Sequence, residues 1–308
     1  MGGSVELLRA LGALCETPRP ELQGVADLLE LGPLPARAAH GELFVLQLYP
    51  YASVYLGAEG MMGGEAADRI AGFWRALGQA PPAEPDHLAL MLGLYARLGE
   101  LQEAAVDPPA RERWRHARGA FFWEHLASWL PLFLIKLADL GELRGPGEPR
   151  GVADPFYLRW AALLGDALRA EAAALGRSSG SPGPPGPPRL PLHLREAPGG
   201  IDPRRDGPEG FLAALLSPVR SGLVLARADL ARAARELGLG LRLGERRVTL
   251  QAMLAQDARP VLEWLAGEAA AWAGKQRPEA HLAPPLAAFW QERAAATARL
   301  LGELAAEA

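Results

Sequence analysis

The stretch Ala83-Glu84-Pro85-Asp86-His87-Leu88-Ala89-Leu90-Met91-Leu92-Gly93-Leu94-Tyr95 decides how the fold is read. Pro85 disfavours helical geometry in Glu84, and Asp86 is a good N-cap residue whose carboxylate accepts from first-turn amides, so a helix is expected from about His87. Leu88, Met91, Leu92, Tyr95 and Leu98 recur at helical spacing while Leu90 and Leu94 fill the other face. Such a helix is buried nearly all round. An acid and a histidine then stand where a core helix meets the surface, and two readings are open: a capping aspartate beside a satisfied histidine, or one wall of a site.

The same periodicity extends in both directions. Val5 to Leu14, Leu22 to Leu31, Glu42 to Leu48 and Glu65 to Leu77 read as helices on the N-terminal side, separated by Pro and Gly breaks. Tyr49-Pro50-Tyr51-Ala52-Ser53-Val54-Tyr55-Leu56 reads as an ordered aromatic loop. Beyond the central helix, Arg111 to Leu140 is one long helical segment with a kink or break near Ser128, because Pro131 removes a backbone hydrogen bond. Asp154 caps a helix that opens with Pro155 and runs to about Leu175. From Arg177 to Pro208 the composition turns to Ser, Gly and Pro, which cannot bury enough apolar surface to offset ordering entropy, so 177–208 reads as a linker. Helices resume at Phe211 to Leu216, Ala228 to Leu237, Arg246 to Leu254, Arg259 to Trp272 and Leu286 to Leu304, with a small hairpin about Gly244 left open. The expected class is all-α, with domains 1–176 and 209–308 on either side of the linker.

Composition narrows the function classes. The 308 residues are 49% hydrophobic with a formal net charge of −4, so no overall basic field draws the chain to nucleic acid or anionic lipid. Only Lys136 and Lys275 are lysine, the rest of the 32 basic residues being arginine. The single cysteine, Cys15, excludes an internal disulfide and a cysteine-based zinc site and fits a reducing compartment. No basic stretch leads into a sustained apolar one at the N-terminus, so no signal peptide is expected, and the apolar run from Phe121 to Ile135 is too interrupted to span a bilayer.

Catalytic and metal-binding patterns are missing. The six histidines, at 40, 87, 116, 125, 193 and 281, form neither a His-x3-His pair nor a zinc-protease helix motif. No nucleophile elbow and no phosphate-binding loop with its lysine are present, so no catalytic residue, metal or cofactor is expected and the chain does not read as an enzyme. Arg227 to Gln256 reads as helix, Gly-containing turn, helix, which keeps a DNA-binding helix-turn-helix as the alternative function. The better-supported parts are the tyrosine loop, the Asp86-His87 corner and the Phe121-Phe122-x-x-His125-Leu126-x-x-Trp129 stripe. Tyrosines bury large area at small entropy cost, and these are the parts a peptide groove would use.

Four landmarks in order, Tyr49-Pro50-Tyr51-x-Ser53-Val54-Tyr55-Leu56, Asp86-His87-Leu88, Phe122-x-x-His125-Leu126-x-x-Trp129-x-Pro131-x-Phe133 and Pro155-Phe156-Tyr157, resemble the TorD/DmsD/NarJ family of redox-enzyme maturation chaperones. The resemblance covers about 41–175. It implies a TorD-like helical bundle and a cytoplasmic chaperone, while 209–308 lies beyond the resemblance and reads as an additional C-terminal helical module. It further implies binding of the twin-arginine signal peptide, or the N-terminal region, of a molybdopterin oxidoreductase catalytic subunit before export. The residues then expected at the client peptide are Tyr49, Tyr51, Ser53, Tyr55, Glu84, Asp86, His87, His125 and Trp129. Glu59 is a further candidate for complementary charge. Here Glu84-Pro85 abuts Asp86 directly, where the family commonly has one more residue before the Asp-His pair.

Overall fold

The computed structural model describes residues 2–143, 152–177, 189–242 and 244–308. Among them there are sixteen α-helices and no strand, as the helical periodicity requires. The one β-like feature is an isolated antiparallel bridge between Tyr51 and His87. The turn about Gly244, where a hairpin stayed open, instead leads into helix. The Pro-rich core of the expected linker, 178–188, lies outside the described residues.

The chain divides into two compact units. The first comprises Met1–Ala52 and Gly63–Leu192, the second Ser53–Met62 and His193–Ala308.

The first unit is built on α1 (Gly2–Leu14), α2 (Gln23–Leu28), α3 (Arg37–His40), α5 (Gly64–Ala76), α6 (Leu88–Ala104), α7 (Pro108–Phe121), α8 (Leu130–Glu142) and α9 (Pro155–Arg177), with only the first residue of α4 (Ala52–Leu56) and of the single turn α10 (Leu192–Arg195). Its centre is α6, whose Leu88, Met91, Leu92, Leu94, Tyr95 and Leu98 are all buried. Each such side chain contributes roughly 1.5–3 kcal/mol of burial. α1 lies close along α6 because glycine leaves room for it. A Cβ on Gly99 would sit 2.7 Å from Val5 Cγ2, closer than any real side chain allows. α9 is fastened to the same layer by Trp160 Nε1 donating to the Leu11 carbonyl at 2.9 Å and Arg159 Nε donating to Leu31 at 2.9 Å.

Two expected elements are divided in the structure. The long segment from Arg111 breaks into α7, a π-helical turn Phe122–Leu126 and α8, so the interruption falls where Pro131 demands it. Ser128 Oγ donates to the Glu124 carbonyl at 2.9 Å within that break. The aromatic loop is also shorter than expected, because Ala52–Leu56 is helical. Upstream, α3 passes directly into a second π-helical segment, Gly41–Gln47. Asp154 caps α9 as expected, accepting from Phe156 N at 2.9 Å.

The second unit gathers the rest of α4 and α10 with α11 (Pro203–Leu215), α12 (Pro218–Ser221), α13 (Arg227–Glu236), α14 (Arg246–Gln256), α15 (Ala258–Lys275) and α16 (Pro284–Glu307). α15 and α16 form its backbone, and Thr297 Oγ1 on α16 donates to the Ser221 carbonyl at 2.7 Å. The segment Ser53–Met62 completes it from far upstream in sequence. Ser217 Oγ donates to the Gly57 carbonyl at 3.1 Å, and Gly60, at φ 63°, lets the backbone pass so close that a Cβ would lie 2.8 Å from Ser217 Cα.

Candidate functional site

The corner forms because two distant segments pair for a single step. Ala52 N donates to the Asp86 carbonyl at 3.1 Å and Leu88 N donates to the Pro50 carbonyl at 2.8 Å, while His87 N closes a turn onto the Glu84 carbonyl at 3.1 Å, which leaves Asp86 in the turn and His87 extended. The helix start is therefore corrected by one residue. The N-cap of α6 is His87, whose Nδ1 accepts from Ala89 N at 3.2 Å, and not Asp86. Asp86 is buried, 3% exposed, ahead of the helix.

Because Nδ1 accepts, the imidazole is neutral with its proton on Nε2. Burial lowers the His87 pKa, the carboxylates of Glu84, Glu16 and Asp86 pull it back up, and His40 lowers it further. The Tyr51 ring meets the His87 ring edge to face at 4.9 Å. Tyr51 OH donates to Glu84 Oε2 at 2.9 Å, and burial first, then the Glu84 hydrogen bond and charge, raise the phenol above its usual range. Glu84 is exposed, and no basic side chain among the described residues pairs with it. The corner is thus a surface carboxylate held in place by a tyrosine, next to a neutral histidine and above a buried aspartate. It can accept from a cationic or polar donor, and it holds no nucleophile and base in reach of each other. No group of three or more potential metal ligands occurs among the described residues.

Beneath the corner lies an aromatic layer. His40 Nε2 is 3.2 Å from the Cys15 carbonyl, and the His40 ring stands edge-on to Phe44 at 5.2 Å. Phe44 stacks on Phe133 at 6.2 Å, and Phe133 meets Trp129 at 5.8 Å. Trp129 is fully buried and donates through Nε1 to the His125 carbonyl at 2.8 Å. His125, 9% exposed, packs between Phe121 at 5.3 Å and Phe73 at 5.8 Å. Of the residues expected from sequence, the structure brings Tyr51, Glu84, Asp86 and His87 into one place. It sets His125 and Trp129 in the core on the other end of this ring series. Tyr49 is half-buried just before the bridge, while Ser53 and Tyr55 are buried in the second unit. Glu59 is exposed in that same unit.

Sequence reasoning did not single out Val45 and Leu46. They are 55% and 38% exposed on the π-helical segment that leads to Tyr49, an apolar face beside the corner in sequence. The signal available was the unbroken Leu43-Phe44-Val45-Leu46 run, which a helix at a surface cannot bury on all sides.

Residues 9–134 match the family model described as nitrate reductase delta subunit. Every residue expected at the client peptide falls inside this matched stretch, as do Val45 and Leu46. The chain is also similar to the chaperone protein TorD of Vibrio vulnificus strain YJ016, 33% identical over 141 residues, 43% of this chain and 60% of that protein. The TorD chaperone of Vibrio vulnificus strain CMCP6 is 31% identical over 137 residues, again 43% of this chain and 60% of that protein. The chain thus spans 60% of the length of these relatives. No solved structure matches it. Outside the matched stretch stand the start of α1, the end of α8 and all of α9 to α16.

Proposed function

We propose that the chain is a non-enzymatic maturation chaperone, working in the cytoplasm, that binds the twin-arginine leader or N-terminal region of a molybdopterin oxidoreductase subunit and holds it until assembly is complete. The observation that carries the reading is Glu84. Its carboxylate is exposed, fixed by Tyr51 and pairs with no cation among the described residues, while Asp86 and Glu16 add negative charge around a neutral His87. A guanidinium suits such a site because its planar fork takes carboxylates in charge-assisted pairs that an ammonium matches poorly. The exposed Val45 and Leu46 offer apolar surface to the hydrophobic part of a leader. No helix among the described residues is long and apolar enough to cross a membrane.

The relatives' names, the family match and the corner support one reading. The DNA-binding alternative loses support, because the connection from Leu237 to Glu245 is longer than the three- or four-residue turn of a helix-turn-helix. Titration of the full chain with a twin-arginine leader peptide and with its double-lysine version tests the proposal. The arginine peptide is expected to bind about tenfold or more tightly than the lysine one. Equal, negligible binding of both removes the leader-peptide mechanism.

A further inference from the structure

The second unit carries a cluster of arginines that its own acids leave uncompensated. Arg246 Nη1 donates to the Leu225 carbonyl at 2.7 Å, which draws the first turn of α14 onto the residues just ahead of α13. Thr249 Oγ1 donates to the Arg242 carbonyl at 2.8 Å and folds the connecting loop against the same turn. Arg227, Arg242, Arg246 and Arg247 are thereby brought to one end of the α13 and α14 pair. Arg242 and Arg247 are exposed and Arg227 is half-buried, and none of these three guanidinium groups has a hydrogen bond or ion pair among the described residues.

The acids that could neutralise them are engaged elsewhere. Asp229 accepts from Ala226 N at 2.6 Å and lies 3.9 Å from Arg232. Arg232 also takes Glu268 at 2.8 Å and Glu236 at 3.5 Å, and Glu236 accepts from Trp264 Nε1 at 2.7 Å. One arginine, Arg232, thus engages three carboxylates, Asp229, Glu236 and Glu268. In a chain of net charge −4 this is a local reversal of sign. Leu241 stands among the arginines with 39% of its surface exposed.

We propose that the loop joining α13 and α14 is a docking surface for an acidic, leucine-bearing segment of a partner protein, separate from the corner at Glu84. Arginine is the cation favoured at protein interfaces, where its fork holds carboxylates and its flat face covers apolar groups. Leu241 decides between partner classes. A phosphate backbone offers nothing to a leucine, whereas an amphipathic acidic segment meets the arginines with its carboxylates and Leu241 with its apolar face.

The test is fluorescence anisotropy of the full chain with a labelled amphipathic peptide carrying glutamates on one face and leucines on the other. Parallel titrations use the same peptide with lysine for glutamate, and a duplex DNA oligonucleotide. Saturable binding of the acidic peptide is expected. It should weaken about tenfold in Arg242→Ser/Arg247→Ser and with rising salt, and stay unchanged in Arg113→Ser, which removes an exposed charge from α7. Both arginines replaced are exposed and unpaired, so circular dichroism and leader-peptide binding should match the parent chain. Failure of the acidic peptide to bind, equal binding by the double variant, or tighter binding of DNA than of peptide overturns the proposal.

Discussion

The first unit contains the same tyrosine–glutamate hydrogen bond twice, once in the core and once at the surface. In the core, Tyr95 OH donates to Glu171 Oε2 at 2.5 Å and accepts from Arg118 Nε at 3.0 Å, while Arg118 also pairs with Glu171. This triad joins α6, α7 and α9, and the side chains of Arg118 and Glu171 are only 11% and 4% exposed. At the surface, Tyr51 holds Glu84 in the same way, and no arginine among the described residues completes the set. Where the carboxylate is buried, the protein supplies its own cation, because an uncompensated charge there is costly. Where it is exposed, water can solvate the charge and no internal cation is required. Arg118 shows in the core what a client arginine would do at the corner.

Removing the carboxylate separates the two sites. Glu171→Ala strands the Arg118 charge in the interior and should destabilise the fold by about 3–5 kcal/mol in urea unfolding. Glu84→Ala should leave stability within about 0.5 kcal/mol of the parent. It should weaken a twin-arginine peptide by about 1.5–3 kcal/mol in calorimetric titration, the worth of a charged hydrogen bond. A large stability loss in Glu84→Ala would erase the distinction between the two sites.

Acidity sharpens it further. The folded-state pKa of His87 is lowered, chiefly by burial, so the unfolded chain takes up the proton first as pH falls. The stability that neutral His87 contributes is whole above its unfolded pKa, about 6.5, and is lost as pH drops through that value toward the folded one. Protonation also puts a positive charge beside Glu84, so arginine-peptide affinity should fall over the same range, and His87→Gln should flatten that dependence. The core triad, with its phenol shifted upward and its arginine charged throughout, should show no such change. The smallest effect is expected of Tyr51→Phe, which frees Glu84 and should reduce peptide affinity by about 0.5–1.5 kcal/mol without altering the helical circular dichroism.

What the sequence discloses and what it hides follow from range. The α6 core, the Asp154 cap and the break before Pro131 are local consequences of periodicity and proline, and they stand where expected. The cap of α6 does not, because Pro50 and Ala52 pair with the Asp86–Leu88 backbone across more than thirty residues and hold His87, extended, at the cap. Arg118 and Glu171 are likewise invisible as partners, since nothing near either residue announces the other. His125 and Trp129 expose a different limit: an aromatic stripe at helical spacing reads alike whether it lines a groove or fills a core, and burial separates the cases only in three dimensions. Four of the expected site residues converge at the corner, and these four lie next to the bridge.

The contact made by Glu84 in the presence of client is the most direct probe. With Glu84 as an externally completed counterpart of Glu171, its carboxyl-carbon NMR signal should move as the twin-arginine peptide is added, and should need about tenfold more of the double-lysine peptide to move. A Glu84 signal left in place by a bound arginine peptide would contradict the idea that the corner is where the client's cation is received.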